Sequence, residues 1–183
     1  MKKIIGALVA GLLLMVLQTA SHTFLQLHAS QERYTPAQDT ILQVLSQSLP
    51  EGGQYFMPNL PPESSTEAFT KLMEESTGKP WAHITYFPHY NVNMGTNILR
   101  GFLINILLAF VLVSLVSRFS KPTMGSILFA SLAVGFMGFC FHPYPAFIWY
   151  KTPGIWVELF DAMAGFGLAG LWLGWWLPRG QKA

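Results

Sequence analysis

The sequence predicts an all-α membrane bundle of four transmembrane helices, with a small α+β extracytoplasmic insertion between helices 1 and 2. Three observations lead there. Hydrophobic residues make up 51% of the 183 residues and charged ones 11%, roughly half the charged share of an ordinary soluble domain. The apolar residues gather in four blocks instead of scattering as a dispersed core pattern. Basic residues without acids mark one set of block ends: Lys2, Lys3, Arg118, Lys121, Arg179 and Lys182.

The first block, Ile4 to Ala20, belongs to a segment spanning residues 1–21. A helix rising about 1.5 Å per residue needs roughly 20 residues to cross a hydrocarbon core about 30 Å thick. It is also the one single segment that satisfies its own backbone hydrogen bonds in lipid. A basic pair before an apolar run also fits a secretory signal peptide, but cleavage after Ala20 wants a small residue where Gln18 stands. An uncleaved signal anchor is the expectation.

Residues 22–97 are polar enough for water and hold seven of the nine acids, the other two being Glu158 and Asp161. Thr35-Pro36-Ala37-Gln38 has a capping-box arrangement with proline at the first helical position. It predicts a helix from Pro36 to Leu49 with Ile41, Leu42, Leu45 and Leu49 on one face. Pro50 and Gly52-Gly53 stop that helix, and Gln54 to Met57 reads as a short strand. Ser64-Ser65-Thr66-Glu67 offers a second box for a helix ending near Thr77, with Gly78 suited to the left-handed position beyond it. Trp81 to Phe87, aromatic and β-branched, is the best strand. The expected unit is helix–strand–helix–strand, a small cap for the external helix ends.

Residues 98–183 carry the other three blocks, Ile98–Val116, Met124–Phe141 and Gly154–Leu177, with a loop over Phe141–Pro153 and a short cytoplasmic tail. Short connections set the orientation. Four crossings bring the turn with Arg118 and Lys121, the tail with Arg179 and Lys182, and the start with Lys2 and Lys3 to one side, which is the cytoplasm. Both termini are then inside and residues 22–97 outside. Trp172, Trp175 and Trp176 at one end of the fourth block, and Phe147, Trp149, Tyr150 and Trp156 near the other, read as interface belts.

The runs Tyr55-Phe56-Met57-Pro58, Gly78-Lys79-Pro80-Trp81-Ala82-His83-Ile84 and Asn93-Met94-Gly95 resemble a bacterial group of uncharacterised polytopic membrane proteins. The resemblance covers most of the chain. It implies a multi-pass protein of the bacterial cytoplasmic (inner) membrane and says nothing about chemistry.

Glu158 and Asp161 are the only acids inside an apolar block. At i and i+3 they share a helix face, about 6 and 11 Å along from Gly154. An ionised acid facing lipid costs at least a few kcal/mol, so both should face the bundle or the interface. Arg100, near the external start of the second helix, is the expected counter-charge, with Asn105 deeper. Gly165, Ala169, Gly170 and Gly174 allow a neighbouring helix to come close. The five histidines, His22, His28, His83, His89 and His142, all fall on the external side of this topology. By position His22, His83, His89 and His142 are the candidates for a zinc or copper site beside Glu158, but no HExxH or CxxC spacing supports one, and no metal or cofactor is expected.

GxSxG, P-loop and GxGxxG elements are absent. No basic stripe with interleaved aromatics exists, so nucleic acid is not an expected partner. Cys140 stands alone and forms no intrachain disulfide. The leading expectation is a non-catalytic integral membrane subunit or accessory protein acting through its external cap and helix faces. Its partners would be the lipid bilayer and either a membrane protein or a second copy. The alternative is a small transporter, or a ligand- or metal-binding membrane protein, using an outward polar site of Arg100, Glu158, Asp161 and nearby histidines.

Overall fold

A computed structural model describes residues 1–179; Lys182, counted above among the tail cations, lies outside the described residues. In chain order the elements are α1 (Lys2–Thr19, continued by a π-helical turn at Ala20–Phe24), α2 (Gln38–Ser48), β1 (Gly53–Met57), α3 (Thr66–Ser76) and β2 (Ala82–Tyr86). Then come α4 (Met94–Val116), α5 (Met124–Phe141), α6 (Pro143–Tyr150) and α7 (Ile155–Trp176). The chain divides into two compact units, residues 1–33 with the chain from 93 onward, and residues 34–92.

Four stretches of the first unit, Lys2–Phe24, Met94–Val116, Met124–Tyr150 and Ile155–Trp176, are long and apolar enough to cross a membrane. α1 lies against α4 and α7, and α7 also lies against α5. The contacts are close because small residues line them. A Cβ added to Gly11 would stand 2.8 Å from the Ile106 Cα, and one on Gly135 would stand 2.8 Å from the Ala162 carbonyl oxygen. Ala7, Ala10, Ala109 and Ala169 fill the interior with Leu112, Ile127 and Leu173, while Leu8, Leu12, Leu107, Val111 and Phe129 are exposed. Small side chains inside and large apolar ones outside reverse the soluble pattern and suit an apolar solvent. Two of the tryptophans read as a belt also join helices: Trp172 Nε1 donates to the Gly6 carbonyl at 3.1 Å and Trp176 Nε1 to that of Lys2 at 3.0 Å.

One element departs from the sequence reading. Much of the expected loop Phe141–Pro153 is the helix α6. Pro143 opens it, where a missing N–H costs nothing and the fixed φ is already helical. Lys151, in the left-handed region at φ 53°, closes it.

The second unit is the expected helix–strand–helix–strand order. β1 and β2 pair antiparallel, from Gly53 opposite Tyr86 to Met57 opposite Ala82. Two caps sit later than the boxes predict. Ser65, not Ser64, caps α3, its hydroxyl accepting from the Ala68 amide at 3.2 Å. α2 starts at Gln38 because the Thr35 hydroxyl accepts from the Ala37 amide, two residues on, which makes a turn before the helix. Gly78 takes the left-handed conformation, φ 77°. Tyr86 is the only buried residue between 34 and 92.

Candidate functional site

The site begins where α1 stops being an α-helix. Its last turn widens to π geometry, with the Leu25 amide donating to the Ala20 carbonyl at 2.8 Å. Single π turns are rare and concentrate at functional sites. Gln26 then adopts φ 49°, a left-handed conformation that a residue with a Cβ occupies only when its surroundings hold it there. Turn hydrogen bonds from Ala29 to Gln26 and from Gln31 to His28, 3.0 and 2.9 Å, bring His28 and Gln31 against the first turns of α7. Gly154, the N-cap of α7 at φ 85°, makes room for them. Any Cβ on Gly154 would overlap the Gln31 side chain.

Four ionisable groups meet there. Asp161 Oδ2 accepts two bonds of 2.9 Å, from the Ser21 hydroxyl and from His28 Nε2. Glu158 Oε1 accepts from Gln31 Nε2 at 3.3 Å and stands 3.7 Å from His28 Nδ1. The His22 ring stacks on His28 with centroids 3.7 Å apart and planes within 9°. Only 11% of the His28 side chain and 13% of the Asp161 side chain are exposed, against 37% for Glu158. Two buried atoms, His28 Nδ1 and Asp161 Oδ1, lack a hydrogen-bond partner within the protein. Leaving such atoms unpaired costs about 1–3 kcal/mol each, so they point to a ligand or to water.

Burial disfavours the charged form of the His28 ring. The hydrogen bond with Asp161 and the nearby Gln31 side chain, together with the charges of Asp161 and Glu158, outweigh that effect and raise the His28 pKa above its ordinary 6.5. The imidazole stands between the two acids, which favour its protonated form.

Beside the cluster is a cavity of about 340 Å³, lined by Gln18, His22, Asn105, Gly135, Glu158 and Asp161 among others. Of the residues singled out from sequence, His22, Asn105, Glu158 and Asp161 are thus brought together. Arg100 is not: it is exposed on α4 and makes no ion pair among the described residues. The main neighbour of α4 is α1, and the basic side chain beside the acids of α7 is His28 instead. Asn105, 2% exposed, donates to Gln18 Oε1 at 2.8 Å and links α4 to α1. His142, exposed between α5 and α6, lines a smaller cleft of about 120 Å³ that Glu158 also borders. His83 on β2 and His89 after it belong to the other unit. The packing residues act inside the chain: Gly165 meets Leu14 of α1, Ala169 is fully buried, Gly170 meets Ser131 and Gly174 meets Met124 of α5.

Sequence reasoning missed Ser21, His28, Gln31 and Gly154 as parts of one site. Ser21-His22 just beyond an apolar block was a usable signal, but the reversal that delivers His28 and Gln31 has no periodicity to read. Chemically, the cluster can hold a proton or a cation. Its one hydroxyl, Ser21, donates to an acid that already accepts from His28, which is not the arrangement of an activated nucleophile. Compared with known protein families, curated proteins and solved structures, the chain matches none.

Proposed function

We propose that this chain is a non-catalytic multi-pass protein of the bacterial cytoplasmic membrane that binds a small cationic ligand at the cluster of His22, His28, Glu158 and Asp161. Both termini face the cytoplasm and residues 22–97 lie outside. The cluster, at the end of α1 remote from Lys2 and Lys3, then opens outward. One observation carries the reading: His22, Glu158 and Asp161 line one cavity, His28 stands directly behind them against His22 and Asp161, and buried polar atoms of the cluster are still unpartnered. A purely structural ion pair is completed by its own hydrogen bonds. A position near the helix ends also fits, since charge costs less there than at the bilayer centre.

Thiol labelling tests this. In a Cys140→Ala background, His22→Cys in intact cells reacts with a membrane-impermeant maleimide, and Ser120→Cys reacts only after permeabilisation. The reverse pattern overturns the topology, and protection of both overturns the outward opening.

The insertion favours a second role, as an accessory subunit or self-associating protein. α2 and α3 bury no residue, and Ile41, Leu42, Phe69 and Met73 are exposed on them. Uncovered apolar faces of this kind mark interaction surfaces. Light scattering of the chain in mild detergent then gives an assembly larger than one copy, which Phe69→Glu with Met73→Glu dissociates. A strictly monomeric wild type overturns it.

A further inference from the structure

We infer that the cluster coordinates a divalent transition-metal cation of the zinc class through His22, His28 and Asp161, with one position left open to the cavity. The inference rests on the binding role proposed for the same cluster and adds the ligand's chemistry.

A ring nitrogen of His22, a ring nitrogen of His28 and a carboxylate oxygen of Asp161 all lie within 4.8 Å of one another. Ligand atoms around tetrahedral zinc, at bonds of about 2.0–2.1 Å, are about 3.4 Å apart. Reaching that spacing takes a rotation of His22, the exposed member of the three, and loss to solvent of the proton held between His28 Nε2 and Asp161 Oδ2, 2.9 Å apart, as the metal binds. Asp161 Oδ1, buried without a partner, supplies a free lone pair.

Donor chemistry selects the ion. Calcium and magnesium take oxygen ligands, whereas two imidazoles and a carboxylate suit zinc, copper or nickel. Three protein ligands and an open fourth position describe an exchangeable or reactive zinc site, not a closed structural one.

The surrounding shell matches. His28 has a carboxylate at each end of its ring, Asp161 2.9 Å from Nε2 and Glu158 3.7 Å from Nδ1. With metal at the Asp161 end, Glu158 accepts the remaining ring N–H, the carboxylate–histidine–metal relay that orients bound imidazoles. Ser21 fixes Asp161, and Gln31 fixes Glu158. Gly154 is what allows Gln31 to stand there.

The test uses the full chain in detergent micelles, stripped with a chelator and titrated calorimetrically with Zn(II) alone. The expected result is about one equivalent bound, unaffected by excess Mg(II). His22→Ala weakens binding at least about 10-fold and Asp161→Asn at least as much, while His89→Ala leaves it unchanged. His22 is exposed and makes only a ring contact, so an unchanged melting temperature of metal-free His22→Ala certifies its fold. Less than about a tenth of an equivalent on the wild type overturns the assignment, as does equal affinity in His22→Ala. The two readings fail separately. A reactive His22→Cys with no Zn(II) bound by the wild type removes the metal and keeps the outward opening. Stoichiometric Zn(II) with His22→Cys unreachable from outside does the opposite.

Discussion

Ala10, Ala109 and Ala169 of the helical unit are fully buried, whereas in the insertion Tyr86 alone falls below the surface. The same contrast holds for polar groups. Ser21, Asn105 and Ser131 are buried, all in the helical unit. One part of the chain excludes solvent by bringing helix backbones together across small residues. The other barely excludes it and relies on caps, turns and a two-stranded ribbon, which is marginal by itself. Stability in the first is a matter of shape, and in the second of local hydrogen bonding in water. Substitutions that ignore chemistry but add volume should therefore wreck one unit, and substitutions that remove a single hydroxyl should register in the other.

The largest effect is expected at Gly135. A side chain there meets the Ala162 carbonyl oxygen and Phe166 at once, while three residues along the same helix a Cβ on Gly138 meets nothing within 4 Å. Gly135→Leu should cost about 3 kcal/mol, at the upper end for overpacking, or prevent folding of the helical unit. Gly138→Leu should not destabilise, and losing a mid-helix glycine should add up to about 1 kcal/mol. Tryptophan-fluorescence melts in bilayer discs compare the two. Equal effects would mean that backbone proximity is not what holds α5 to α7.

A smaller effect follows from the buried polar cluster. With metal chelated, protonated His28 is held by Asp161 and Glu158, so its raised pKa stabilises the fold. That contribution is fully present below the ordinary 6.5 and is lost as pH rises through the raised folded value. The melting temperature should drop across that interval. Asp161→Asn should cost about 2 kcal/mol on the acid side, the worth of a hydrogen bond to a charged group, and should flatten the pH dependence. An unchanged slope in Asp161→Asn would separate His28 from the stability of the helical unit.

Legibility followed the same division. α1, α4, α5 and α7 were readable because each is a run of apolar residues of membrane-crossing length, and the helix ends fall within a few residues of the blocks. The strands of the insertion were readable from β-branched and aromatic residues between turn signals. Caps were off by one or two residues because Ser64 and Ser65 both qualify in sequence, and only helix geometry chooses between them. Half of the candidate site was visible, since Glu158 and Asp161 are conspicuous in an apolar run. Its other half rests on a π turn and on Gln26 at positive φ, neither of which leaves a pattern in composition. Arg100 drew attention by charge and by its place at a helix start, whereas His28 reaches the acids through a chain reversal.

The smallest effect is expected at the N-terminus of α3. Ser65→Ala removes the hydroxyl that accepts the Ala68 amide at 3.2 Å, and a lost N-cap costs about 1 kcal/mol. Because α3 buries no residue, little else compensates, so hydrogen exchange should quicken across residues 66–76. Glu67 reports on the same cap. Hydrogen bonds from its own backbone amide, and then from Ser65, hold its carboxyl below the ordinary 4.5. The stabilisation that goes with this is present above 4.5 and fades as pH falls through the lowered value. In Ser65→Ala the Glu67 titration, followed by NMR, should move back toward 4.5 while the melt of the helical unit stays where it was. If that melt moves as well, the two units share one cooperative transition, and the division between shape-held and cap-held structure fails.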